Sequence, residues 1–326
     1  MTAWARRLRR LVRNPLIVKD GLSRMRSWRA PAVMALYLGM LGLFAWLVLA
    51  LQLQTTQRLW GLAQVGKAVF TALAVVQLAL VCLFGPGVAA GAISGERERQ
   101  TLDVLLVSCM TSFAIAWGKL VASVAFVILL VVVGLPVFAT VFLFGGVDLQ
   151  QFLVVQLVTV TTALAIGAVS LFLSTVTGRT LVSTVFAYGL TFAGTAGSGV
   201  VGVVLTALLA TRQPRSGPTL EQYPLLLFNP VTAILEVLQN PSVPPMRLGR
   251  ALQLAVLDGG PASSWGPALE AWQATMTAEL VLALLGVLGT VWLLRGWRRP
   301  SFRWRPAGQG EPAPGPEPLA ERGGAA

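Results

Sequence analysis

Along most of this chain nearly every position in a long stretch is apolar, with little of the alternation that would mark a half-buried strand. Six stretches are long enough to cross the roughly 30 Å hydrocarbon layer, which a helix spans with about 20 residues. They lie at about 32–53, 68–93, 120–144, 152–176, 181–210 and 274–295. In lipid a backbone must satisfy its own polar groups, so only helices or closed barrels can span it, and unbroken apolar runs exclude the period of a barrel strand. The expected fold is all-α: a polytopic helical membrane protein with six transmembrane helices over 32–295.

The segments between the runs carry their own patterns. In residues 1–31, the stretch RNPLIVKDGLSRMRSWRAP interleaves apolar and basic positions. It predicts an amphipathic helix lying in the inner membrane surface, opened by Asn14 and Pro15, with Lys19, Arg24 and Arg26 on its polar side. The first span is longer than the apolar core of a secretory signal and is read as uncleaved. The fifth run contains GLTFAGTAGSGVVG, whose glycines predict a break, a kink or close helix contact. The outer loop at about 211–273 is proline-rich. Within it, Asn229-Pro230 predicts a helix start and Asn240-Pro241 a stop, giving a short re-entrant helix before the last span. The tail, 296–326, is rich in Pro and Gly and is expected to be disordered.

Composition sharpens this picture. Residues are 55% hydrophobic and 12% charged, with a mean hydropathy of +0.73, whereas soluble domains carry about 25% charge. The net charge of +12 could suggest nucleic acid. Its placement argues for topology instead. Of the 25 lysines and arginines, only Arg58, Lys67, Arg212, Arg215, Arg247 and Arg250 fall in the segments on one side. The rest flank the other side, which by the positive-inside rule is the cytoplasm, together with both termini. No nucleic-acid partner is expected.

Catalytic chemistry finds few materials here. There is no histidine, and Cys82 and Cys109 are too few for a zinc site or a disulfide framework. GLAQVGKA at 61–68 begins like a phosphate-binding loop, but Ala68 stands where the magnesium-binding Ser or Thr is needed. No catalytic, metal or cofactor site is expected on this chain. Spans one to five hold no interior Asp or Glu. Glu279, in the sixth, is the one intramembrane carboxyl, which counts against a proton-driven transporter working alone.

The most informative stretch is GPGVAAGAISGERERQTLDVLLVSCMTSFAIAWGKL, residues 85–119. Gly87, Gly91 and Gly95 form a small-residue stripe at the end of the second span, suited to close helix approach. Glu96, Arg97, Glu98 and Arg99 cannot sit in lipid and mark a boundary. Glu96 and Arg99 are spaced to pair on a helix. Leu102, Leu105, Leu106, Met110 and Phe113 then recur at helical spacing, with Asp103, Ser108 and Ser112 off the stripe. An amphipathic helix over about 96–117 follows, whose apolar face needs the membrane or a partner protein.

These residues resemble a known pattern. A Gly-rich span end, Glu-Arg-Glu, Thr-Leu, an acidic residue, Leu-Leu and Gly-Lys look like the hallmark of permease subunits of the type-two exporter class of ABC transporters. Here they are Gly95, Glu96, Arg97, Glu98, Thr101, Leu102, Asp103, Leu105, Leu106, Gly118 and Lys119. The N-terminal helix resembles that family's elbow helix, and the six spans and outer insertion also fit. Gln100 replaces a common Gly and Cys109 a common Pro, so the helix is expected to run on further than in relatives.

The resemblance implies a division of labour. An ABC ATP-binding subunit would dock on a coupling helix at about 96–117 and carry the ATP and magnesium, with no cofactor on this chain. A second permease copy or a paralogue would complete the path, surrounded by membrane lipid. Glu96 and Glu98 would be tied to the elbow through Lys19, Arg24 or Arg26. A secondary transporter or channel, or a non-transporting membrane scaffold, are the rival readings. Aromatic residues in the spans, among them Phe70, Phe138, Phe186 and Tyr188, would suit an amphipathic cargo or simply serve packing.

Overall fold

The computed structural model describes residues 28–55, 61–102, 107, 111–202, 204, 229–239 and 271–297. Every regular element among them is helical. In chain order these are α1 (Arg29–Thr55), α2 (Leu62–Ala89), a short α3 (Ser94–Glu98), α4 (Ser112–Ala139), α5 (Leu149–Thr177), α6 (Thr180–Phe192), α7 (Pro230–Gln239) and α8 (Ala271–Trp297). A 3-10 turn, Thr140–Leu143, closes α4, and a π turn, Ala193–Gly197, carries α6 onward. Six helices are long and apolar enough to cross a membrane: α1, α2, α4, α5, α6 with its extension to Gly202, and α8. Each predicted run therefore becomes one helix. The amphipathic N-terminal segment with Asn14, Pro15, Lys19, Arg24 and Arg26, most of the 211–273 loop, and residues 298–326 lie outside the described residues.

Local chemistry explains where the helices begin. Asp148 opens α5 with a capping box: its carboxylate accepts from the Leu149 N–H at 2.8 Å, and the Gln151 side chain accepts from the Asp148 N–H. Thr111 caps α4 by accepting from the Ala114 N–H. Asn229 caps α7 by accepting from the Val231 N–H at 2.8 Å, with Pro230 at the first helical position, as the Asn-Pro pair predicts. The glycine-rich part of the fifth run resolves into the π turn. A π turn inserts one extra residue per turn and leaves carbonyls free, which is the physical form the expected break takes.

α5 is the hub. It contacts α2, α4, α6, α7 and α8, and it carries small side chains where they approach: Ala163, Ala165, Gly167, Ala168 and Ser174. α8 lies along it, and glycines in α8 set the separation. A methyl at Gly286 would stand 2.9 Å from the Ala168 carbonyl, and one at Gly289 would stand 2.7 Å from the Phe172 ring. Between α2 and α5, Gln77 and Gln156 exchange a reciprocal pair of amide hydrogen bonds at 3.2 Å. Such a pair has few competing partners in an apolar wall and is worth about 1–2 kcal/mol. Phe70 and Phe138 pack edge to face at 5.4 Å and both touch Phe152. They are fully buried at the Asp148 end of the bundle, so those two aromatics serve packing.

α7 packs against α2, α5 and α8 at that same end. It buries Ala233, Ile234, Val237 and Leu238, and its Val237 carbonyl accepts from Gln151 Nε2. α1 and α6 by contrast leave long apolar faces uncovered, including Leu43, Trp46 and Leu47 on α1 and Leu181, Val185 and Phe186 on α6.

Substituting Gly286→Val should destabilise the purified chain by about 1–3 kcal/mol, because the Ala168 backbone cannot move aside as a side-chain tip would. Gly39→Ala, which meets open space, should leave thermal unfolding unchanged. Equal melting temperatures for the two variants would contradict the α5–α8 contact.

Candidate functional site

The chain leaves α2 at Ala89 and turns before α3, and the turn falls where lipid or protein would otherwise leave its backbone groups unpaired. Ser174 of α5 resolves this. Its Oγ accepts from the Ile93 and Ser94 N–H groups at 3.1 and 2.9 Å. The Ala90 carbonyl in turn accepts from Ser94 Oγ and from Ser183 Oγ of α6. The turn is thus pinned to both α5 and α6 before the first charge appears.

Three of the four charges that follow go to three different spans. Glu96 Oε1 accepts from Lys119 Nζ of α4 at 2.7 Å, with the lysine side chain 6% exposed and the glutamate 20%. Thr101 Oγ1 donates to Glu96 Oε2 at 3.0 Å, and the Thr101 N–H donates to the Glu96 carbonyl. Glu98 reaches the start of α6, where its carboxylate accepts from the Thr180 N–H at 2.7 Å and the Thr180 hydroxyl at 2.8 Å. Thr180 is the first residue of α6, so the carboxylate meets both an unpaired N–H and the positive end of the helix dipole. The Thr180 backbone bond, then its hydroxyl, and lastly the charge of Arg179 hold the Glu98 carboxyl below its usual range. Arg97 places its guanidinium 4.9 Å from the centre of the Trp297 ring at the end of α8. It also lies against Gly178, which ends α5 at φ 66°; a side chain there would be strained and would collide with Arg97.

The predicted site residues divide accordingly. Glu96, Glu98, Arg97, Thr101 and Lys119 converge on one network, and Gly118 is buried beside Lys119 in α4. Leu102 is buried against Ile93, Ile115 and Ala116. Asp103, Leu105 and Leu106 lie outside the described residues. Of the glycine stripe, Gly87 faces the Tyr188 hydroxyl and Gly95 faces Thr180, forming a seam with α6, while Gly91 meets open space. Tyr188 donates to the Leu83 carbonyl at 2.7 Å along the same seam.

Two expectations need revision. The 96–117 stretch is not one helix: α3 ends at Glu98, and Thr111, extended at φ −70° and ψ 151°, starts the helix of the third span. Gln100 does not carry α3 onward. It takes φ 57°, the left-handed conformation a glycine would adopt, so the bend survives the loss of glycine. The carboxylates of Glu96 and Glu98 are engaged within the bundle by Lys119 and Thr101 and by Thr180, and the elbow residues expected to meet them, Lys19, Arg24 and Arg26, lie outside the described residues. Thr180, Ser174 and Trp297 were not anticipated. The residues of GLAQVGKA from Leu62 onward are helical, with Gly66 packed on the Gly145 carbonyl.

Beyond the geometry, a family model described as "ABC-2 family transporter protein" matches residues 15–295. The chain belongs to that family. Members of this kind are the multi-pass membrane component of an ABC transporter, lack the ATPase domain and act with an ATP-binding subunit. A search of curated proteins gave no match. In ABC-2 terms, the hallmark residues that lie in the described part of this permease form the network joining α3 to α4, α5, α6 and α8.

Breaking the buried pair should show non-additivity. Lys119→Ala removes the ammonium that meets Glu96 and should cost about 2–4 kcal/mol, and Glu96→Gln a comparable amount, because each breaks a poorly hydrated ion pair. The double variant Glu96→Gln, Lys119→Met should cost clearly less than the sum. Additive losses in chemical unfolding would show the two side chains to be independent. Gln100→Gly should raise stability by about 1 kcal/mol by removing the left-handed penalty, read as a higher melting temperature.

Proposed function

We propose that this ABC-2 permease is half of an ATP-driven exporter in the cell inner membrane, with both termini and the Glu96 end of the bundle on the cytoplasmic side. A separate subunit holding ATP and magnesium docks on the connector between α3 and α4. Two permease copies, or this chain and a paralogue, form the path between them. The reading rests above all on one observation: the short segment Ser94–Thr101 is bonded or stacked to four spans at once, through Ser174, Lys119, Thr180 and Trp297. A push on the connector is therefore delivered to α4, α5, α6 and α8 together. The connector also presents an apolar side chain at 87% exposure, Val107, whereas Leu102 at its start is buried. A helical valine with so little cover is an expected anchor for a soluble partner.

Mechanistically, nucleotide-driven closure of the ATPase pair would move the two connectors toward each other. Because Glu98 grips the first N–H of α6, the start of that helix follows the connector. α6 has the least-buried long face after α1, so it is the span with most freedom to shift.

Co-expression with an ABC ATP-binding subunit encoded beside this chain tests the reading. Val107→Asp should reduce co-purification and ATP turnover by about tenfold or more, while melting of the permease alone is unchanged. A cysteine at Glu98 should react with an impermeant reagent only after the cells are opened. Labelling of that cysteine on intact cells would overturn the orientation, and gradient-driven transport by the permease alone would favour a secondary transporter.

A further inference from the structure

Midway along the bundle, between α5, α6, α7 and α8, lies a cavity of about 200 Å³. Ile166, Val169, Leu190 and Leu282 supply most of its wall, and Pro230 and the π turn close one side. Among the described residues that line it, the one ionisable group is Glu279, about 12 Å along α8 from the first residue of that helix. Glu279 is 7% exposed. Its Oε1 accepts from the Thr162 hydroxyl at 2.7 Å, but that hydroxyl also lies 2.9 Å from the Val158 carbonyl, so its one hydrogen is shared. Oε2 is buried and has no hydrogen-bond partner among the described residues, the neighbouring Thr161 hydroxyl lying 3.1 and 2.8 Å from the Leu157 and Val158 carbonyls instead. No lysine or arginine is among the described residues lining the cavity.

A buried carboxyl oxygen without a donor costs on the order of 1–3 kcal/mol, and an unpaired carboxylate costs more. Water is a poor remedy here. The space is several times the roughly 30 Å³ share of one water, and most of its wall offers a water nothing to bond. What matches the site is a ligand with an apolar body and a single cationic donor head. Access is lateral: Leu190 and Leu282, on the rim, are 54% and 50% exposed on the outside of the bundle, where acyl chains would lie. The wall is also adjustable. Thr195, in the π turn, has its carbonyl bonded by Asn229 Nδ2 at 2.7 Å, so the start of α7 latches the side of the cavity. π turns commonly stand where a helix has been adapted to a ligand.

We propose that this cavity binds the protonated amine of an amphiphile that enters from the lipid side, with Glu279 Oε2 as the counter-ion and the apolar wall holding the first part of the chain. As a ligand, such an amine requires nothing of the ATPase partner. Only its role as cargo rests on the transport reading.

The test uses the full-length chain in lipid nanodiscs and a long-chain primary amine carrying a diazirine near its head, with the matching alcohol as comparator. The amine should cross-link to peptides containing Ile166–Val169 and Leu190–Thr195, and unlabelled long-chain amine should compete. The alcohol should label these peptides at least about tenfold less, and Glu279→Gln should lower amine labelling by a similar factor, since the charge pair is lost while shape is kept. Ala165→Phe, which fills the cavity, should block labelling while Glu279→Gln keeps the wild-type melting temperature. Equal labelling by amine and alcohol, undiminished labelling of Glu279→Gln, or cross-links confined to other peptides would each overturn the proposal. None of these outcomes involves ATP turnover, so failure here leaves the connector's role standing, and failure of Val107→Asp to uncouple leaves the cavity standing.

Discussion

A lysine in the first turns of a membrane span can keep its charge only if an anion meets it there, and Lys119 is met by Glu96 at 2.7 Å. Removing an ammonium and a carboxylate from water costs several kcal/mol each, and only close contact with further hydrogen bonds recovers that cost. The geometry supplies both: Thr101 donates to the other carboxylate oxygen and its N–H holds the Glu96 carbonyl. With this pair formed, the chain must leave α2, turn sharply and return to α4 within the 23 residues that separate Glu96 from Lys119. Neither a straight continuation of α2 nor a free loop is compatible with it.

The left-handed Gln100 follows from the same constraint. Glutamine is a good helix former, so local preference alone would extend α3. Yet Glu98 is held at the start of α6 while Thr101, three residues on, is held to Glu96. The backbone between two fixed points has to reverse, and Gln100 absorbs the reversal at a cost of about 1–2 kcal/mol. Non-glycine residues persist in such conformations only where their surroundings over-determine them.

This explains which features were legible in the sequence. The six spans could be read because apolar length is a one-dimensional signal, and α7 could be read because Asn229-Pro230 is a local one. The hallmark residues pointed to the right region, and both Glu96 and Lys119 belong to it. Their pairing could not be read, since it depends on how α4 is rotated against the end of α2. Thr180 and Trp297 carry no mark of their own: one is an ordinary first residue of a helix and the other an ordinary aromatic at a span end. They matter because α6 and α8 begin and end beside α3, which is tertiary information. Gln100 misled for the complementary reason, since its local preference was outvoted by distant bonds.

Three helices, α5, α6 and α8, run from the network to the cavity, and α6 is the least buried of them. α6 is gripped at its first residue by Glu98, seamed to α2 through Gly87 and Tyr188, and distorted about a dozen residues later into the π turn that walls the Glu279 cavity. Asn229 then fastens that turn to α7. A displacement of the connector can reach the cavity along this helix without passing through the tightly packed α5–α8 contact. Contiguity of this kind is a mechanical route, and it becomes coupling only if α6 has two positions that connector and cavity both favour differently. The π turn is the place for such a change, because converting one wide turn to α geometry shifts every later residue of the helix by one register step. Gly194 and Thr195 of the cavity lining lie in that turn, while Gly286 and Gly289 set the close contact of α8 with α5 on the other side.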